Sequence, residues 1–274
     1  MSAVSSGETV ELSSAATLIP TSQEPVLSRV DILGVDIDAI TWAEALSRIA
    51  TWVERRDSRS IAVCNVHSVV TAKWDPAFSD ALRQADLAVP DGMPLVWFMR
   101  GRGVPSQTRI NGPDLMIRLC YWAQQHQQSV FLYGTTPETL ARLEGRLYRR
   151  FPKLRIAGTL APPFRSLTES EDAGVVELIN ASGAGIVFVA LGCPKQEKWV
   201  QEHVGRINAV MIGVGVAFDY YSGNVRRAPR WMQRSGLEWA FRLVNDPRRL
   251  WKRYLVTNSV FVARVIMSNW RRRT

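Results

Sequence analysis

Asp91 is the carboxylate with the most to offer chemically. It stands in Leu87-Ala88-Val89-Pro90-Asp91-Gly92-Met93-Pro94, where three aliphatic residues end a buried strand and a Pro-Asp-Gly turn leads to Pro94 at the start of a helix. A carboxylate on a tight turn between strand and helix sits at the rim of an α/β sheet, where ligands bind. It reads as a general base, with plain turn chemistry as the alternative. Asn65 and His67 follow the short apolar run Ser60-Ile61-Ala62-Val63-Cys64, which puts them at the carboxyl end of another strand. His67 is either a satisfied structural histidine or a partner to Asp91, because neighbouring strand ends of a parallel sheet converge on one crevice.

Other strand ends carry further polar groups. Arg109 precedes Ile110-Asn111-Gly112-Pro113-Asp114, a chain break that opens a helix, so it is either a phosphate clamp or a solvated loop residue. Val130-Phe131-Leu132-Tyr133-Gly134 runs into Thr135-Thr136-Pro137-Glu138, a strand, glycine turn and capped helix start, so Tyr133 and Gly134 fall where phosphates are received. Ala184 to Leu191 is the strongest buried strand in the chain. It ends in Gly192-Cys193-Pro194-Lys195-Gln196-Glu197, so Gly192, Lys195 and Gln196 offer donors and a charge. Gly213-x-Gly215 follows the last strand, with Asp219 shortly after. This is half of a dinucleotide fingerprint, with its third glycine missing and no helix opening directly behind it.

Several features have structural readings. Asp36-Ile37-Asp38 imitates a metal-binding triplet, but Thr41 and Glu44 form a capping box just beyond it, and a strand-turn-helix junction accounts for both aspartates. The three cysteines, Cys64, Cys120 and Cys193, and the three histidines are dispersed. They form neither a disulfide framework nor a zinc-type cluster. No metal site and no cofactor are expected.

Behind these residues stand alternating apolar strands and amphipathic helices, the pattern of an α/β fold with a parallel sheet. The chain has 274 residues, 46% of them hydrophobic and 22% charged, ample for a substantial core. Residues 1–28, rich in Ser and Thr and without a signal peptide's apolar run, read as a disordered leader. Residues 29–225 form the α/β core, and 226–274 a basic amphipathic appendage. The net charge of +9 is concentrated there, with thirteen Lys and Arg against Glu238 and Asp246. Such asymmetry indicates a membrane surface, nucleic acid or a diphosphate as partner. The stretch from Leu255 to Met267 is too short to span a bilayer, and with Trp270 and Arg271-Arg272-Arg273 it reads as an interfacial helix on an anionic membrane. A solvated basic tail is the plainer alternative.

Taken together, Asn65-Val66-His67, Pro90-Asp91-Gly92, Arg109-Ile110-Asn111-Gly112, Tyr133-Gly134, Gly192-Cys193-Pro194-Lys195-Gln196-Glu197 and Gly213-Val214-Gly215-Val216-Ala217-Phe218-Asp219 fall in a recognisable order. Arg226-Arg227-Ala228-Pro229, Gly236-Leu237-Glu238-Trp239 and Asp246-Pro247-Arg248-Arg249-Leu250 complete the set. The sequence resembles the WecG/TagA/CpsF glycosyltransferases from about Ile32 to Tyr254. The resemblance implies a Rossmann-like α/β fold of the GT-E type with parallel sheets flanked by helices and a helical, membrane-docking C-terminal appendage. It implies inverting, metal-independent transfer of a hexose or N-acetylhexosamine-type sugar from a UDP-sugar to a polyprenyl-diphosphate-linked saccharide, in cell-surface or exopolysaccharide biosynthesis. Such an enzyme works as a peripheral protein on the cytoplasmic face of the inner membrane, and homo-oligomerisation stays open.

Carried over residue by residue, the resemblance makes Asp91 the base and Arg109 and Gln196 substrate-binding residues. Asn65 stands where teichoic-acid members often have threonine. From the appendage, Arg242 and Arg249 reach the active site, with Lys252 or Arg253 beside them. Two other classes fit less well. An oxidoreductase would want the full glycine fingerprint and an acidic ribose ligand. A nucleic-acid-binding protein would carry a recognition motif, which the chain lacks, so nucleic acid is not an expected partner.

Overall fold

The structure is a computed structural model that describes residues 27–270, with side chains through Ser268. The leader expected over 1–28 therefore lies almost wholly outside the described residues, as do Arg271, Arg272 and Arg273. The described chain opens with an antiparallel hairpin of β1 (Arg29–Ile32) and β2 (Val35–Asp38), turning at Leu33 and Gly34 with φ of 58° and 91°. Two positive φ values in a two-residue turn match the twist of the flanking strands. A bulky leucine in that region is uncommon, so nothing in the residue types from Val30 to Val35 marks a chain that folds back on itself.

The capping box holds α1 (Trp42–Arg55) as expected. The Glu44 N–H donates to Thr41 Oγ1 at 3.3 Å and the Thr41 N–H to Glu44 Oε2 at 2.8 Å. The aspartate triplet belongs to β2. Asp38 is buried, with Oδ1 accepting from Arg29 Nε at 2.9 Å and Oδ2 from the Ala88 N–H at 2.7 Å.

Five βα steps follow: β3 (Arg59–Cys64), α2 (Val66–Thr71), α3 (Pro76–Arg83); β4 (Leu87–Pro90), α4 (Met93–Arg100), α5 (Gly112–Gln125); β5 (Ser129–Gly134), α6 (Pro137–Arg150); β6 (Arg155–Leu160), α7 (Glu169–Ser182); and β7 (Ile186–Ala190), α8 (Lys195–Glu202). β8 (Val210–Gly213) and the short α9 (Ala217–Ser222) close the series. Contrary to the sequence reading, a helix does open just past Gly213-x-Gly215. The six strands form one parallel sheet in the order β4-β3-β8-β7-β5-β6. Helices cover both faces, so the strands read as near-continuous apolar runs. Val130, Leu132, Ile186, Phe188 and Ile212 pack on one face with α1 and α5. Phe131, Tyr133, Val187, Val189 and Met211 pack on the other with Trp199.

The topology makes the crevice. From β3 the chain steps outward to β4, crosses to β5 and β6, and returns through β7 so that β8 lies against β3. Strands from the two halves meet there, and their carboxyl ends leave a gap of the kind that receives ligands.

Three helices complete the chain: α10 (Arg230–Arg234), α11 (Glu238–Asn245) and α12 (Pro247–Trp270). Pro247 has no N–H to continue α11, so the axis breaks at Asp246. Along α12, Leu250, Tyr254, Thr257 and Phe261 form a buried stripe, and Phe261 joins Val69, Val70, Leu95 and Met99 in the core beside α2 and α4. Trp251, Leu255, Val256, Ile266 and Met267 stay exposed. Among the described residues, no helix is long and apolar enough to cross a membrane.

Candidate active site

A cavity of about 890 Å³ lies over the carboxyl ends of β3, β4, β7 and β8, with residues of α11 and α12 on its other side. Asp91 lies on its wall, immediately past β4. Its N–H donates to the Cys64 carbonyl at 2.7 Å, which pins the turn to the neighbouring strand, while Gly92 and Pro94 start α4. Arg109 donates to Asp91 Oδ1 through Nη2 at 2.9 Å and Nε at 3.2 Å, and Nε also reaches the Asp91 main-chain oxygen. Both side-chain bonds fall on Oδ1, so Oδ2 has no protein partner among the described residues. Burial pushes the Asp91 carboxyl above the ordinary range, Arg109 pulls against it, and Glu238 adds to the rise. A buried carboxylate with elevated proton affinity and one free oxygen suits a general base.

Asn65 and His67 line the same cavity. Asn65 is the N-cap of α2, its Oδ1 accepting the Ser68 N–H at 3.2 Å while Ser68 Oγ accepts the Asn65 N–H at 3.3 Å. That fixes the residue where the chain leaves β3. His67 Nδ1 lies 3.2 Å from Thr71 Oγ1. Burial, with the nearby Arg253 cation, drives its pKa down to about 4. The imidazole is neutral near pH 7, and it is too weak a base there to compete for a proton.

Gln196 is buried at the start of α8, its Nε2 donating to Glu197 Oε1 at 2.9 Å. A Cβ on Gly213 would fall 3.0 Å from Gln196 Nε2 and 3.2 Å from Cδ, and one on Gly215 would fall 3.5 Å from Oε1. The glycine pair that imitates a dinucleotide fingerprint is thus the seat of the Gln196 amide. Glu197 was not singled out by sequence reasoning, since an acid in a helix's first turn is ordinary. It is buried against the cavity, and that burial raises its pKa to about 7. Gly192 lines the cavity, with φ of 80° where the chain turns out of β7, and Asp219 lines it from α9.

Three expected residues lie elsewhere. The Tyr133 ring is buried in the core, stacked on Trp199 with centroids 4.4 Å apart. Gly134, at φ of 122°, packs against the Ala190 backbone, and Lys195 is exposed outside the cavity lining. The period-2 alternation of β5 points Tyr133 into the α8 face of the sheet, and β5 ends one strand beyond the crevice.

Cations approach from the C-terminal helices. Arg242, half-buried on α11, makes no ion pair with any described residue. Arg249 pairs with Asp246 at 2.6 Å on the exposed face of α12. Arg253 lies over the Tyr254 ring at 5.0 Å. Glu238, at the first turn of α11, is in sequence only one member of the Gly236-Leu237-Glu238-Trp239 motif, yet its Oε2 lies 2.8 Å from Arg109 Nη2. Nothing local in the sequence connects residues 109 and 238. Beyond these groups the cavity turns apolar, between Trp97 and Phe98 of α4 and Phe261 and Val265 of α12.

A doubly wound sheet with a carboxylate at one strand end, a buried amide at another and arginines above them describes a group-transfer enzyme for anionic substrates. Residues 30–274 match the Glycosyl transferase WecG/TagA/CpsF family, and the chain belongs to it. It is 35% identical over 206 residues to an N-acetylglucosaminyldiphosphoundecaprenol N-acetyl-beta-D-mannosaminyltransferase of Bacillus spizizenii, covering 75% of this chain and 78% of that protein. A protein of the same name from Bacillus subtilis is 32% identical over 205 residues, 74% and 78% of the two chains. Another from Staphylococcus aureus is 31% identical over 226 residues, 81% and 87%.

Proposed function

We propose that the protein is an inverting glycosyltransferase that moves an N-acetylhexosamine-type sugar from a UDP-sugar to a saccharide carried on a polyprenyl diphosphate. Asp91 is its general base. The observation that carries this reading is the arrangement at Asp91. One carboxylate oxygen is held by Arg109, the other is free, and both open on a cavity that also holds the unpaired Arg242.

The chemistry follows from these groups. Asp91 Oδ2 takes the proton of the acceptor hydroxyl as that oxygen attacks the anomeric carbon from the face opposite the departing UDP. Charge grows on the leaving diphosphate, and guanidinium groups in a partly dry cavity stabilise it without reorganising. Arg109 and Arg242 are the residues we assign to that field, in place of a metal. Gln196, Asn65, His67 and Asp219 contact the donor, and Gly192 leaves room for it. The apolar end of the cavity, between α4 and α12, suits the first units of the acceptor's lipid. The exposed apolar face of α12, beside Arg248, Arg249 and Lys252, docks on an anionic membrane at the cytoplasmic face of the inner membrane.

Incubation of the enzyme with a panel of UDP-sugars and a synthetic polyprenyl-diphosphate N-acetylglucosamine tests this. The expected product is heavier by one sugar residue and has the inverted anomeric configuration. Asp91→Asn is expected to keep donor binding and lose at least a hundredfold in turnover. Near-normal turnover by this variant sinks the assignment of the base.

A further inference from the structure

Glu238 has no part in the reaction just outlined, yet it is bound into its centre. Arg109 Nη2 donates to Asp91 Oδ1 at 2.9 Å and forms an ion pair with Glu238 Oε2 at 2.8 Å, so a single guanidinium nitrogen sits between two carboxylates. The other Glu238 oxygen, Oε1, accepts the Tyr220 hydroxyl at 3.3 Å. All three charged side chains are less than one-fifth exposed, with Glu238 the most enclosed at 14%. The contact joins three separate pieces of chain: the turn after β4, the segment before α5, and the first turn of α11. Arg242, the other charged side chain of α11, makes no ion pair with any described residue.

We propose that Glu238 is a positioning residue that couples the seating of the C-terminal helices to the working geometry of Asp91. The inference rests on the reading of Asp91 as the base. With Glu238 in place, the Arg109 fork is fixed from both sides. Its contacts stay on Oδ1, and Oδ2 stays clear for the acceptor hydroxyl. Without it, the guanidinium swings to a symmetric two-oxygen grip on Asp91, the geometry that Arg and carboxylate prefer when nothing else competes. That grip occupies the oxygen the reaction needs.

The charge of Glu238 acts in the same sense. Asp91 faces Arg109 from the segment before α5, Glu238 and Arg242 from α11, and the buried Cys64 thiol at the end of β3. Glu238 is the one anion in that set. Removing its charge leaves two cations to favour the ionised carboxylate, so Asp91 becomes a weaker base that holds its proton only at lower pH. When α11 lifts, the same loss follows. An enzyme whose helices are not seated therefore has its base disarmed.

The test is the pH dependence of kcat in the full-length protein for wild type, Glu238→Gln and Glu238→Asp, with Asp91→Asn alongside. Glu238→Gln is expected to move the acid limb of kcat down by about 0.5–1 pH unit and to lower the plateau by roughly tenfold. KM for the UDP-sugar is expected to change less than kcat, because Arg109 alone among the donor-side residues shifts. Glu238→Asp restores part of the shift, and hydrogen exchange in residues 238–268 speeds up in Glu238→Gln. Superimposed kcat profiles, with Asp91→Asn inactive, overturn the role of Glu238 and leave the base assignment standing. An active Asp91→Asn overturns both.

Discussion

The Gln196 carboxamide lies across the end of β8, with its Nε2 3.0 Å from where a Cβ of Gly213 would stand. The absent side chain at Gly213 leaves the space that the Gln196 amide fills. Gly213→Ala therefore crowds a buried amide that has no slack, since Gln196 is also tied to Glu197. A cost of about 1–3 kcal/mol in unfolding free energy is expected, with KM for the donor raised at least fivefold. Chemical denaturation and donor titration check the two effects separately.

Arg242 and Arg249 both line the cavity, but they are not equivalent. Arg242 is half-buried without an ion pair, whereas the Arg249 side chain is 65% exposed and engaged with Asp246. Arg242→Ala is expected to lower kcat/KM by on the order of a hundredfold, the scale of losing one preorganised donor to a developing charge. Arg249→Ala should lower it by less than about tenfold, as a screened surface charge does. Thermal unfolding of Arg242→Ala is expected to change little, because its nearest anions, Glu238 and Asp91, stay held by Arg109.

Glu197 makes stability depend on pH. Its carboxyl titrates near 7 when folded, against an ordinary value of 4.5. Between those values the native protein keeps a proton that the unfolded chain has released, so this group destabilises the fold progressively as pH rises from about 4.5 to 7. Glu197→Gln abolishes that slope. Denaturation midpoints of both proteins at pH 5 and pH 8 measure it, and equal slopes contradict the prediction.

The exposed face of α12 provides a membrane test. Leu255 is 61% and Val256 46% exposed, so replacing both with Asp should leave the fold intact. It puts two anions on the face that would meet lipid. Sedimentation with anionic vesicles is expected to fall at least tenfold, with binding to neutral vesicles weak throughout. Unchanged sedimentation removes this face from membrane docking.

Thr41→Ala separates folding from function. It deletes one half of the capping box of α1 and should cost about 1 kcal/mol, or roughly 2–4 °C in melting temperature for a chain of this size. Turnover should match wild type.

Local chemistry made much of this molecule legible. The α1 capping box, the Thr136 cap, the Pro94 helix start and the buried strands all follow from short-range rules and stand as expected. The cavity-lining residues Asp91, Asn65 and His67 were readable because Asp91 and Asn65 directly follow a strand and His67 stands in the first turn of the helix behind it. What escaped depends on distance or on strand order. Glu238 meets Arg109 across 129 positions of chain, Glu197 is unusual only because it is buried, and Tyr133 ends a strand that lies just outside the crevice. The hairpin turn at Leu33 escaped for the opposite reason, since its residue type argues against its conformation.

Asp38, finally, bears on how the protein behaves among copies of itself. β4 is an edge strand of the six-stranded sheet, and the outward-facing amide of Ala88 is the kind of group onto which a foreign strand adds. That amide donates to a carboxylate held by Arg29. A buried charge is thus parked where an invading strand would need an acceptor backbone. The β1–β2 hairpin thus closes the edge of the very strand that presents Asp91, and losing Asp38 would leave a buried amide without its acceptor at that edge.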